Sequence, residues 1–324
     1  MGKRKRHDED EAQSSSAPRN GCQTASENAE KVQKKSHVQI IAGTYEHVLH
    51  GLLMTIPSSS LHATSHNQEH DARFSHSFLF EAHTSSIRSL ALSLPTGPKD
   101  DSSQKVVLAT GGSDERINLY HLASSPPQPS AAPKEPTLDD FIVTKNPQNR
   151  ALGSLLHHSG AVTALAFPSR GKLLSGAADN IIATTRTRDW TVLSMLKAPL
   201  PKRLGRPSGD TAGPGDVPSG INSLAVHPSA KLMVSVSKSE RCMRLWNLMT
   251  GKKAGTLSFD RHMLSELKEG RWASGEGQKV EWHPKGDEFA VAFQMAVVVF
   301  GMVRLTSEVR KLFLFLISNR TAGP

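Results

Sequence analysis

The sequence predicts an all-β protein assembled from small antiparallel sheets that recur along the chain. Three observations carry the prediction. From Phe78 onward, short aliphatic and β-branched runs alternate with clusters of Gly, Pro, Asn, Asp and Ser. Within several runs the apolar positions fall on every second residue, as on a half-buried strand. Two of the runs also share a histidine and an aspartate in matching positions, His83 with Asp114 and His158 with Asp179.

The chain has 324 residues, enough for one large domain or two ordinary ones. Apolar residues make up 37%, a low share that reflects long polar stretches rather than a poor core. Lys and Arg total 39 against 30 Asp and Glu, a formal charge of +9. Such a bias favours acidic partners, RNA or acidic protein surfaces, without identifying one. The two cysteines, Cys22 and Cys242, form no CxxC pair. A disulfide framework or zinc site is therefore not expected, and a reducing compartment is. The opening Lys3-Arg4-Lys5-Arg6 has no apolar run behind it, so it is not a secretory signal. It suits nuclear import or a nucleic-acid contact, or is simply a solvated tail. The longest apolar stretch, Phe289 to Val303, is interrupted by Gln294 and is shorter than the ~20 residues a bilayer needs. Two buried strands explain it, and no membrane association is expected.

Along the chain, residues 1–37 are polar and Ser-rich and read as a disordered tail. Order is expected from Val38, where VQIIAGTYEHVLHGLLM is strand-like, followed by a Ser/His-rich loop from Pro57 to Arg73. The clearest unit begins at His158: a strand (Val162, Leu165, Phe167), a turn, a strand (Leu173, Leu174), a small-residue turn with Asp179, and a strand near Ile182. The unit beginning at His83 matches it once the polar insertion 95–104 is removed. Ile87 then lies over Val162, Leu90 over Leu165, and Gly111 over Gly176. A surface hairpin tolerates such an insertion. A third unit runs from Ile221 to Leu248, with Leu232, Val234 and Val236 alternating and Trp246 near its close. A fourth begins near Lys279, and its His283-Pro284 echoes His227-Pro228. Polar insertions are expected at 123–150 and 199–220, with a helical turn inside 260–278.

Units of roughly 40 residues with three or four strands match WD40 β-propeller blades. The domain reading is a propeller over 38–300 and a divergent tail over 301–324. A seven-bladed ring needs about 300 ordered residues. Only about four to five blades are countable here: a partial N-terminal blade, three fuller units and one incomplete unit. The expectation is an incomplete propeller whose C-terminal blades are missing through truncation or a gene-model error. An uninterrupted native reading frame ending at Pro324 would refute the error.

His83, Asp114, His158 and Asp179, with serines nearby, invite comparison with a hydrolase triad. A triad is one constellation defined by geometry and does not recur per repeat. A hydrogen-bonded structural network inside each blade explains the repetition. Trp246 is expected to join that network or a blade seam. In the third unit Val217 and Glu240 occupy the His and Asp positions, so its network is expected to be incomplete. No Walker loop, GxGxxG or GxSxG is present, and no cofactor is expected. His62, His66 and His70 stand four apart in a Ser-rich loop with no rigid frame for a metal. Lys202, Arg203 and Arg206 form a second basic cluster, an RNA-phosphate contact or a solvated insertion. Aromatics are 5% and form no stripe, so no base-stacking platform is visible.

Six segments together carry a resemblance: IIAGTYEHVLHG, EAHTSSIRSLAL, LATGGSDERINLYHL, LLHHSGAVTALAF, LLSGAADN and ERCMRLWNLMTGKKAG. The chain resembles the WD-repeat ribosome-assembly factors of the maintenance-of-killer type, whose animal relatives are described as PAK-kinase-interacting proteins. The Ala42-Gly43-Thr44-Tyr45-Glu46 opening and the pair His157-His158 are its most specific elements. The similarity covers about Gln39 to Phe300. It implies a non-catalytic scaffold in the nucleus and nucleolus, maturing large (60S) subunit precursors and rRNA. Its implied partners are pre-ribosomal assembly factors and ribosomal proteins, with rRNA contact through the basic loops and a link to a PAK-type kinase. The rival reading is a generic WD-repeat adaptor, regulating such a kinase or serving another complex as substrate receptor.

Overall fold

The computed structural model describes residues 35–57, 73–95, 105–123, 148–199, 220–267, 274–303 and 311–317. Within them the chain is almost wholly β, arranged as one three-stranded and four four-stranded antiparallel sheets. Each sheet uses consecutive strands in hairpin order. The first holds β1 (Lys35–Gly43), β2 (Val48–Pro57) and β3 (Arg73–Glu81). The second holds β4 (Ile87–Leu92), β5 (Lys105–Gly112), β6 (Ile117–Ala123) and β7 (Arg150–Leu155). The third holds β8 (Val162–Ser169), β9 (Lys172–Ala177), β10 (Ile181–Arg186) and β11 (Val192–Lys197). The fourth holds β12 (Ile221–Val226), β13 (Leu232–Ser237), β14 (Cys242–Asn247) and β15 (Lys252–Ser258). A short helix α1 (Arg261–Glu266), capped by the Asp260 carboxylate, leads into the fifth: β16 (Lys279–Trp282), β17 (Glu288–Ala292), β18 (Val297–Val303) and β19 (Lys311–Ile317).

The sheets stack as blades. Their first strands β4, β8, β12 and β16 adjoin in succession, and side chains tie each to the next. Ser89 Oγ donates to the Val162 carbonyl at 3.2 Å, Thr163 Oγ1 to the Ile221 carbonyl, and Asn222 Nδ2 to the Gly277 carbonyl at 2.9 Å. Apolar side chains fill the gaps between blades. Leu49 and Phe78 meet Leu108 and Leu122 across the first seam. Ala109 and Leu119 meet Val162 and Leu173 across the second. Leu174 and Ile182 meet Met233 and Trp246 across the third, and Val234 and Met243 meet Val280, Phe289 and Phe300 across the fourth. Among the described residues no closed barrel forms, and the arc of blades is an incomplete propeller.

Repeated irregularities show which strand is missing from the first blade. A register shift falls between the third and fourth strands at Leu119/Tyr120, Thr184/Thr185 and Leu245/Trp246. In the first sheet the same shift, at Gly51/Leu52, lies between β2 and β3. A glycine ending the second strand gives the same alignment. A Cβ on Gly111 or Gly176 would press on Val162 or Ile221 of the next blade, and one on Gly43 would come within 2.7 Å of Ile87. So β1, β2 and β3 are the second, third and fourth strands of a blade whose first strand the described residues do not contain.

Two boundaries differ from the sequence expectation. Strand structure starts at Lys35, three residues before Val38. The residues set apart as a tail after Phe300 supply β19, which pairs with β18 from Val297↔Ile317 to Val303↔Lys311 and gives the fifth blade four strands. The continuous apolar run of β19, Leu312 to Ile317, carries none of the histidine, aspartate or glycine markers that identified the other blades. The helical turn expected within 260–278 is α1. Most of the tail 1–37 and of the insertions at 95–104, 123–150 and 199–220 lies outside the described residues.

Candidate functional site

The paired histidines and aspartates meet inside their blades, at the end where first strands begin. His83 precedes β4 and Asp114 sits in the β5–β6 turn. His83 Nδ1 donates to Asp114 Oδ1 at 2.9 Å, so Nε2 is left to accept from Thr110 Oγ1 at 2.7 Å. Backbone N–H groups of Thr84 and Arg116 also reach the carboxylate. Burial pushes the Asp114 carboxyl up, but these hydrogen bonds, His83 foremost, hold it below its ordinary range.

The third blade repeats the chain of bonds and extends it. His158 Nδ1 donates to Asp179 Oδ2 at 2.9 Å, and His158 Nε2 accepts from Ser175 Oγ at 2.8 Å. His157 Nε2 lies 3.1 Å from the same Ser175 oxygen and donates to it. In the fourth blade the equivalent hydroxyl, Ser235, accepts from the Trp246 indole N–H at 2.8 Å. The residue matching Trp246 in the third blade is Thr185, whose buried hydroxyl has no hydrogen-bond partner. His157 therefore supplies from the inter-blade loop the donor that Trp246 supplies from a strand.

His157 fills that role as a neutral ring. Burial first, then the neighbouring His158, lowers its pKa to about 4, while Asp179 opposes them. The folded pKa lies below the ordinary 6.5, so the unfolded chain takes up the proton first. Stability is unaffected above pH 6.5 and is lost as pH falls from there toward 4. Solvent screening at this half-buried ring reduces the loss to about 1–2 kcal/mol. We expect thermal midpoints to fall across that window in the native protein and to stay flatter in His157→Phe. Parallel curves for the two proteins would remove the assignment.

The fourth blade departs from the pattern as the sequence suggested, and in a further way. Its β13–β14 turn is one residue longer than the corresponding turns, so spacing from Ser235 and spacing from Trp246 point to different residues at the Asp position. Among the described residues Glu240 meets no histidine. Its carboxylate takes both guanidinium ends of Arg244, a side chain only 5% exposed, which also reaches Ser237 Oγ at 3.3 Å. Trp246 is thus joined to Ser235, but not to any His–Asp pair. Lys3, Arg4, Lys5, Arg6, Lys202, Arg203 and Arg206, with Val217 and His62, His66 and His70, lie outside the described residues.

Sequence reasoning missed Thr110, Ser175, Arg244 and the role of His157. The first two had a signal, a hydroxyl four residues before each aspartate. With Ser175 included, the third blade has the bond order of a Ser–His–Asp triad. Ser175 is 0% exposed, however, and a nucleophile must be reached by its substrate. The arrangement locks the turn between β9 and β10 to the start of β8.

A known repeat described as "WD domain, G-beta repeat" matches residues 149–183, from the outer strand of the second blade to the third strand of the third. Whole-chain comparison finds p21-activated protein kinase-interacting protein 1-like of Danio rerio, 25% identical over 266 residues, which are 82% of this chain and 51% of the relative. Its Xenopus laevis counterpart is 26% identical over 265 residues. Protein MAK11 of Saccharomyces cerevisiae is 28% identical over 298 residues, 85% of this chain and 54% of that protein. The chain spans about half the length of the curated relatives it matches. The chain carries a WD40 repeat and is similar over some four fifths of its length to the p21-activated protein kinase-interacting protein 1-like proteins and to Protein MAK11.

Proposed function

We propose that the chain is a non-catalytic WD40 scaffold in large (60S) ribosomal subunit biogenesis, binding pre-ribosomal assembly factors in the nucleolus. The observation that carries the non-catalytic part is burial. The recurring His–Asp groups are spent on holding blades together, with histidine side chains 0% exposed in both pairs. Interaction is then left to turns and blade faces. The ribosomal part rests on the resemblance of the segments from Ile40 to Gly255 and on similarity to Protein MAK11. A basic run at Lys3–Arg6 suits nuclear entry. Tagged chain purified from nuclei is expected to bring down assembly factors and to cosediment with large-subunit precursors. Exclusively cytosolic chain, absent from those fractions, would sink the reading.

The names of the animal relatives favour a second reading, an adaptor that binds a p21-activated kinase. A purification dominated by such a kinase, or by a ubiquitin ligase using the chain as substrate receptor, would replace the first reading.

A further inference from the structure

The two ends of the blade stack differ in charge. At the end opposite the His–Asp networks, the second and fourth strands of the blades begin, and all but β11 and β17, which start at Val192 and Glu288, begin with a cation or directly after one. Arg73 opens β3, Lys105 β5, Arg150 β7, Lys172 β9 and Lys252 β15, while Lys231 immediately precedes β13. All six are exposed. The adjoining hairpin turns add Arg170, Arg188 and Lys285, also exposed. Among the described residues the carboxylates there are Asp189, already paired with Arg186 at 3.1 Å, with Asp287 and Glu288 in the fifth blade. At the other end the turns between second and third strands are mixed, Glu46, Glu115 and Glu240 standing with Arg116, Lys238 and Arg241.

Backbone hydrogen bonds hold the basic turns in place. Thr187 N–H donates to the Gly171 carbonyl at 3.1 Å and Leu248 N–H to the Lys231 carbonyl at 2.9 Å, tying together the two hairpins of the third blade and those of the fourth. His227 Nε2 donates to the Gly286 carbonyl at 3.1 Å, tying the fourth blade to the fifth. The positive field is felt within the rim: His121, pushed below its usual range first by burial, is lowered further by Arg150 and Lys105.

We propose that this rim binds the phosphate backbone of RNA along successive blades. Its cations are spread about one or two to a hairpin, which suits a polyanion with regularly spaced charges rather than one small anion. A folded acidic protein would need buried aromatic anchors. Among the described residues, no exposed aromatic side chain stands in the turns of the third to fifth blades. Without a stacking platform, affinity comes from phosphates, with little base selectivity and strong salt dependence. The proposal adds to the scaffold role without depending on it, because the probe is an RNA of arbitrary sequence.

The test is fluorescence anisotropy of full-length chain with a labelled single-stranded RNA across a salt series. Replacing Lys172, Arg188, Lys231 and Lys252 together by Gln should weaken binding about 10- to 100-fold and flatten the log–log salt slope by about 2.8, four contacts at ~0.7 each. Thermal melting checks that this variant is folded. Replacing Arg116, Lys238 and Arg241 by Gln should change affinity less than about two-fold. A rim variant that binds like the native chain overturns the proposal. So does an equal loss in the opposite-end variant, or complete loss on replacing only Lys3–Arg6, Lys202, Arg203 and Arg206. A polyglutamate peptide binding as tightly as RNA of equal charge would reassign the rim to acidic protein.

Discussion

His158→Ala is expected to destabilise the chain by about 3–5 kcal/mol, enough to unfold a marginal domain. The imidazole side chain is 0% exposed and joins Asp179 to Ser175. Its removal leaves the Asp179 carboxylate, 6% exposed, without its strongest donor and the Ser175 hydroxyl without an acceptor. The backbone N–H groups of Ser159 and Ile181 still reach the carboxylate, which places the cost toward the lower end of that range. Ser175→Ala removes the middle of the same chain and should cost less, about 1–2 kcal/mol, because the histidines lose a partner while the Asp179 bond survives. Chemical denaturation read by circular dichroism checks both. The pair also separates structure from catalysis. A hydrolase would lose turnover in Ser175→Ala while remaining folded; we expect no turnover in the native chain. Equal stability of His158→Ala and the native chain would refute the network as a structural device.

The blade pattern was legible where two independent markers agreed. In the second and third blades the His-to-Asp spacing and the Gly111/Gly176 pair gave one alignment, and the structure pairs Leu90 with Thr110 and Leu165 with Ser175 in that same register. Legibility failed where a role is shared among elements. His157 stood out as half of a double histidine, but its function depends on the loss of an aromatic at Thr185, a strand away. Arg244 stood out not at all, because nothing local says that its charge would be buried. It is buried because the longer turn brings Glu240 to it, and a paired guanidinium can occupy space that an unpaired one cannot. The alternation of Leu232, Val234 and Val236 gave a strand but the wrong surroundings: Met233, Ser235 and Ser237 on the opposite face are buried too, since β13 is covered on both faces. Period-two patterning reports side-chain direction, whereas burial depends on what stacks on each face.

That dependence makes the seams the weak points of an open arc, and the fourth seam offers the clearest test. Trp282→Ala is expected to cost about 3–5 kcal/mol. The indole is 8% exposed and lies edge-on to His227, with ring centroids 4.8 Å apart, and against Phe289 at 4.8 Å. Its N–H donates to the Ala225 carbonyl at 3.2 Å, across the seam from the fifth blade to the fourth. Truncation therefore removes a large apolar surface, opens a cavity beside Phe289 and Phe300, and leaves a buried carbonyl with one fewer donor. Trp282→Phe keeps most of the packing and loses the hydrogen bond, so it should cost about half as much or less. The fifth blade has the fourth as its covering neighbour on one face and none described on the other, so the loss should fall there first. Hydrogen exchange should show amides of β16 to β18 losing protection before those of β8 to β10. Uniform loss across all blades would mean that the arc unfolds as one unit, with no independent last blade. Unchanged protection in β16 to β18 would mean that the indole contributes nothing to the seam.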